Sequence, residues 1–118
     1  MAPTPFQATS SKVGAVRVIA VRGELDLATV GELEAPLSET VANGAALLID
    51  LGECEFIDST GIATLVRAWQ QLGAEGGPPR LAIAGAGDQV GRVLEVSGVA
   101  DSIPVLESRD EALAVLGG

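Results

Sequence analysis

The feature that most constrains this chain is the run Ala45, Ala46, Leu47, Leu48, Ile49, Asp50, Leu51, apolar at every position but one. A strand with one wet face alternates apolar and polar residues, whereas a near-continuous run of this length fits a strand covered on both faces at the centre of a parallel sheet. Parallel neighbours need crossover connections, and helical patterns lie on both sides of the run. Before it, Val30, Leu33, Leu37 and Val41 recur at spacings of three and four in a segment that opens at Asp26, and Asn43 with Gly44 supplies the stop. After it, Ile62, Leu65, Val66 and Trp69 share the inner face of a segment that begins behind Asp58 and ends near Gly73. Pro36 falls inside the first helix, where its missing N–H predicts a kink or a division.

The remaining segments complete an alternating order. Residues 6–10 read as a short edge strand, residues 15–22 as a longer one, and Ser11, Lys12, Val13 and Gly14 as the hairpin turn between them. A Gly/Pro loop over residues 74–79 precedes a strand at 80–84. A third helix follows at 88–97, closed by Gly98, and a last short strand at 103–106. Ser108 followed by Glu111 is a capping-box signature for a terminal helix carrying Leu113 and Leu116, and Cys54 reads as a small, partly buried loop residue. The expected order is ββαβαβαβα: one α/β domain spanning residues 1–118, with a four- to five-stranded mixed sheet and about four helices, mostly on one side. The loops after the strands are then the natural functional surface.

Composition narrows the functions open to such a fold. At 118 residues and 47% hydrophobic content the chain can fill one core. Its net charge of -9 opposes a nucleic-acid backbone or an anionic membrane as partner, and is compatible with a basic protein. No apolar run reaches the length of a membrane span, and residues 1–11 lack the pattern of a signal peptide, so the expected location is cytoplasmic. With one cysteine and no histidine, the chain offers neither an internal disulfide, a Cys/His nucleophile pair nor a metal cluster. Glu32 with Glu34 and Glu53 with Glu55 read as solvated pairs, so no catalytic residue, metal or cofactor is expected. Gly85, Gly87 and Gly91 imitate a dinucleotide fingerprint, but the spacing is off by one residue and the chain is too short for that fold; a helix cap and close packing account for them better.

The most informative segment is Asp58-Ser59-Thr60-Gly61, behind Phe56 and Ile57 and ahead of an amphipathic helix. A helix start leaves backbone N–H groups unpaired and positively polarised, so it can accommodate an anion or a phosphorylated hydroxyl, and Ser59 would sit there. Asp, Ser and Thr are also the preferred cap residues in any helix, so capping alone accounts for the tetrad taken by itself. Gly61 keeps the first turn free of a β-carbon, which would leave room for another protein's active site. Asp26, between strand and helix, reads as a cap residue, and Asp50 is open between a functional role and a structural hydrogen bond to the following loop.

Four separated segments, in order, resemble the STAS domain family and, within it, the bacterial anti-sigma factor antagonists. They are Gly23-Glu24-Leu25-Asp26 after the long strand, Leu48-Ile49-Asp50-Leu51, Phe56-Ile57-Asp58-Ser59-Thr60-Gly61, and the pattern Arg92, Leu94, Ser97, Gly98. The resemblance covers about residues 6–116. It implies the STAS fold and a regulator rather than an enzyme. In that family the serine directly after the motif's Asp is phosphorylated, here Ser59, and Asp26, Asp58, Ser59, Thr60 and Gly61 line the partner surface. The implied partners are an anti-sigma factor serine kinase of ATPase fold, bound by the unmodified chain so that a sigma factor is released, and a metal-dependent serine phosphatase that resets the switch. ATP and magnesium belong to the kinase. Two other readings stay open: a constitutive interaction module, as scaffold or transporter accessory subunit, and a small nucleotide-binding protein using the glycine loops. Thr60 also remains open as the acceptor.

Overall fold

Gly14 folds the start of the chain back on itself. With φ at 59° it occupies the first position of a tight turn with Ala15, so that Val13 stands opposite Val16. A glycine-first two-residue loop matches the twist of antiparallel strands, so the pairing reaches the turn and takes in Ser11, Lys12 and Val13, which the sequence assigns to the loop. A computed structural model describes residues 4–72 and 78–117 of the chain. Its elements are β1 (Gln7–Val13), β2 (Val16–Leu25), α1 (Val30–Asn43), β3 (Ala46–Ile57), α2 (Ser59–Gln71), β4 (Leu81–Ala84), α3 (Asp88–Val96), a single turn α4 (Val99–Ser102), β5 (Val105–Leu106) and α5 (Arg109–Val115).

The sheet runs in chain order, β1-β2-β3-β4-β5, with β1 antiparallel and the other four strands parallel. When parallel strands follow one another across a sheet, right-handed crossovers carry every connecting helix to the same face. That face holds the larger core: Ile19, Val21, Leu25, Leu47, Ile49 and Leu51 from the strands against Leu33, Leu65 and Leu94 from α1, α2 and α3. Helix α5 follows the last strand and needs no crossover. It covers the other face, where Ala112, Leu113 and Leu116 pack with Val16, Val18, Leu48, Ala82 and Ala84. β3 is thus enclosed on both sides, which is why its sequence is an apolar run rather than an alternation.

The α/β class, the mixed sheet and the expected order hold, with α4 as a fifth helix. Four residues between Gly98 and Ile103 are too few to show a helical period. α1 begins at Val30 rather than Asp26, and it continues through Pro36 undivided. The proline removes only one N–H bond, to the carbonyl of the exposed Glu32, while Val30, Leu33, Leu37 and Thr40 hold the buried face. On α2 the buried stripe is Gly61, Thr64, Leu65 and Ala68; Ile62, Val66 and Trp69 are half-buried at its border. Small side chains let the helix approach its neighbours, and a tryptophan cannot occupy the closest point. Gly73 and most of the expected 74–79 loop lie outside the described residues.

Cys54 is not in a loop. β3 extends to Ile57, and Cys54 lies within it at 8% exposure, its thiol donating to the Phe56 carbonyl at 3.3 Å. Burial pushes this thiol above its ordinary pKa.

Candidate functional site

The site follows from the register of the two central strands. β2 and β3 are parallel and end together, Leu25 opposite Ile57, so the residues that come next, Asp26 and Asp58, enter neighbouring loops. The Asp58 N–H donates to the Leu25 carbonyl at 3.2 Å, continuing the ladder by one bond.

The Asp58 carboxylate then divides its two oxygens. Oδ1 accepts the Gly61 N–H at 3.0 Å and caps α2; Oδ2 accepts the Leu27 N–H at 3.2 Å, from the loop after β2. Asp26 closes that loop on itself. Its Oδ1 accepts the N–H groups of Ala28 at 2.9 Å and Thr29 at 3.2 Å, and its carbonyl accepts the Val30 N–H at 2.8 Å. Thr29 Oγ1 donates back to the Glu24 carbonyl at 2.7 Å. Asp26 is therefore a turn-forming residue, of the kind in which an aspartate bonds the backbone two residues on, and the cap position of α1 belongs to Thr29. Both aspartates rigidify one end of the sheet.

On this platform Ser59 is the first residue of α2 and is exposed, while Thr60 is half-buried and its carbonyl accepts the Thr64 hydroxyl at 3.0 Å. Gly61 faces inward. A β-carbon there would stand 2.8 Å from Ile57 Cγ1 and 3.0 Å from the Leu25 carbonyl oxygen. Its missing side chain lets α2 seat against the ends of β2 and β3, and does not open room for a visiting protein. Asp26, Asp58, Ser59 and Thr60 thus share one surface with Gly61 beneath it.

Sequence reasoning passed over Leu27. It is 75% exposed, an apolar side chain held outward in a loop of fixed shape beside the α2 cap. Its signal in the sequence is a leucine directly after the motif aspartate, hidden by reading that stretch as helix.

Charge sets the site apart from the rest of the sheet end. Among the described residues the ion pairs are Arg22 with Glu53 at 3.9 Å and Arg109 with Asp50 at 2.7 Å, so neither Asp26 nor Asp58 has a cationic partner. Asp50, which the sequence leaves between a structural and a functional role, is tied into the fold: Oδ1 accepts the Gly52 N–H at 2.8 Å, and Oδ2 accepts from Arg109 Nε and Nη2, joining β3 to α5. The glycine-rich loop likewise serves packing and capping. A β-carbon on Gly85 would meet Asp50 Oδ1 at 3.3 Å, and Gly87 is the cap residue of α3. A hollow of about 780 Å³ between α3 and β5, around Gly87, Arg92, Glu95 and Glu107, contains none of the site residues. Among the described residues no group of three His, Cys, Asp or Glu side chains could hold a metal ion, and no helix is long and apolar enough to cross a membrane.

The family model of the STAS domain matches residues 7–112, and the chain belongs to that family. Among curated proteins it is similar to the anti-sigma-F factor antagonist RsfB of Mycobacterium tuberculosis, 28% identical over 99% of this chain and 94% of the relative. It is also similar to the anti-sigma-B factor antagonist of Staphylococcus aureus, 32% identical over 78% of this chain and 84% of the relative. Its fold matches that of a crystallised anti-sigma factor antagonist from Mycobacterium paratuberculosis with a TM-score of 0.86, 27% identity and coverage of 97% and 96% of the two chains. The Bacillus antagonist SpoIIAA shares the fold in two states. Its unphosphorylated form has a TM-score of 0.73 at 22% identity over 97% and 98% of the chains; its phosphorylated form, 0.66 at 23% over 93% and 97%.

Proposed function

We propose that this chain is a single-domain cytoplasmic anti-sigma factor antagonist that acts by binding, without catalysis. Unmodified, it occupies an anti-sigma factor serine kinase through the surface of Asp26, Asp58, Ser59 and Thr60, and a sigma factor is released. The kinase transfers phosphate from ATP to Ser59 and the complex dissociates; a metal-dependent serine phosphatase restores the hydroxyl. The observation that carries this reading is the exposed Ser59 at the first position of α2, beside a carboxylate already committed to the cap.

The physics of the switch is local. Phosphorylation adds about -1.5 to -2 charge. It does so next to Asp58, on a surface where neither Asp58 nor Asp26 is neutralised by a cation among the described residues. A kinase that fits a neutral hydroxyl beside the Asp58 cap meets instead a concentrated negative charge, and it loses the hydroxyl contact. The fold need not change, because Ser59 points to solvent and the α2 cap bond runs through Asp58 rather than through Ser59. The family likeness to antagonists from M. tuberculosis and S. aureus supports the assignment.

The test uses each anti-sigma serine kinase of the source genome, purified and mixed with the full chain and Mg·ATP, with the modified residue mapped by mass spectrometry. Phosphate on Ser59 from one of these kinases is the expected result. Phosphate confined to Thr60 would move the acceptor by one residue, and no phosphorylation by any of them would favour a constitutive STAS interaction module.

A further inference from the structure

We propose that Leu27 is the apolar anchor of this surface, and that the serine kinase which docks on it does so with an apolar pocket rimmed by basic side chains. The proposal rests on the function just stated and adds to it the residue that supplies contact energy and the chemistry of the surface it meets.

Three observations converge. First, among the described residues Leu27 is one of four exposed large hydrophobic side chains, at 75% exposure. An isolated exposed leucine needs no explanation by itself. Here the backbone holds it out, however: its N–H is fixed to Asp58 Oδ2 at 3.2 Å, and the next two N–H groups are fixed to Asp26 Oδ1 at 2.9 and 3.2 Å. The loop cannot fold the side chain inward without breaking these bonds. A loop whose backbone is already fixed loses little entropy when its side chain docks, which favours affinity.

Second, the carboxylate that fixes Leu27 is the same one that caps α2 at the residue before Ser59, so the leucine and the switch hydroxyl belong to one rigid unit. A kinase positioned over the Ser59 hydroxyl is adjacent to Leu27. Third, Asp26 and Asp58 border the leucine with no cationic partner among the described residues, so charge complementarity asks for Lys or Arg around the receiving pocket. Apolar anchor and acidic rim act differently: the anchor slows dissociation, whereas the rim speeds association and is screened by salt.

Val96 provides a control. It is 81% exposed on α3, lining the hollow that contains none of the site residues. The experiment is calorimetric titration of the full chain into the Mg·ADP form of the kinase that phosphorylates Ser59, with wild type, Leu27→Ala, Leu27→Met, Val96→Ala and Ser59→Asp compared at two salt concentrations. Removing the leucine's isopropyl group, which the complex would bury, is expected to weaken binding roughly tenfold or more and equally at both salt levels. Leu27→Met restores most of the affinity, and Val96→Ala binds as wild type. Because Leu27 contributes only its N–H to the fold, Leu27→Ala keeps the wild-type melting temperature. If Leu27→Ala binds as tightly as wild type while Ser59→Asp is weakened, the anchor is overturned and the phosphoswitch stands. If Ser59→Asp also binds as wild type, the functional reading fails with it. An equal loss in Val96→Ala and Leu27→Ala would also overturn the anchor, since it would show no preference for this surface.

Discussion

Helices α2 and α5 begin with the same local device and use it differently. At α5, Ser108 Oγ accepts the Glu111 N–H at 3.1 Å and donates to Glu111 Oε1 at 3.0 Å, a reciprocal cap closed within its own turn. At α2, Asp58 accepts the Gly61 N–H with one oxygen and the Leu27 N–H with the other, so the cap also staples the loop of a different crossover. The third helical position carries the contrast. Glu111 is exposed and turns back toward its cap residue, whereas Gly61 is wedged against Leu25 and Ile57. One cap only starts a helix. The other joins two loops and leaves Ser59 exposed at the first helical position.

The comparison breaks most readily at that third position. Gly61→Ala places a β-carbon 2.8 Å from Ile57 Cγ1 and 3.0 Å from a backbone oxygen that cannot retreat. We expect a loss of about 1–3 kcal/mol in urea denaturation, typical of overpacking. Glu111→Gly should cost about 0.5–1 kcal/mol, the usual penalty of glycine in a helix. Equal costs would mean that the two positions are packed alike.

The caps themselves sharpen it. Asp58→Ala should lose about 1–2 kcal/mol and Ser108→Ala about 1 kcal/mol or less, both within the range for lost N-caps. Hydrogen exchange separates them: the Leu27 amide should exchange faster in Asp58→Ala and be unchanged in Ser108→Ala. Unchanged exchange in both would dissolve the staple.

How much of this was legible in the sequence depends on how local each feature is. The apolar run through Leu47, Leu48 and Ile49 announced a strand buried on both faces, and the Ser108–Glu111 pair announced α5, because both signals are complete within a few residues. Asp58 and Ser59 were legible as a helix start for the same reason. The inward packing of Gly61 was not, since the atoms that crowd it belong to Leu25 and Ile57 on two strands. Nor was Leu27, because the bond that holds it outward comes from a carboxylate far along the chain. Cys54 was misplaced because β3 continues through Gly52, Glu53 and Glu55, residues that individually disfavour strands and are carried into one by pairing with β2.

The smallest expected effect tests that last placement. Burial raises the Cys54 pKa, so at pH 8 the native thiol should react with a disulfide reagent much more slowly than it does after unfolding in urea. A folded state that favours the protonated thiol gains its contribution below the ordinary thiol pKa and loses it as pH rises through the folded value. A native thiol reacting at the unfolded rate would contradict a buried Cys54.

In the proposed switch the hydroxyl of Ser59 and its phosphate act as two different ligands on one unchanged platform, and affinity for the kinase distinguishes them most directly. Titration into the Mg·ADP kinase should give Ser59→Ala close to wild type and Ser59→Asp weaker. The enzymatically phosphorylated chain should be weakest, since its added charge exceeds that of one carboxylate. Far-ultraviolet circular dichroism and melting temperature should be alike in all four. Equal affinity for the unmodified, Ser59→Asp and phosphorylated chains would contradict the account, whatever residue carries the phosphate.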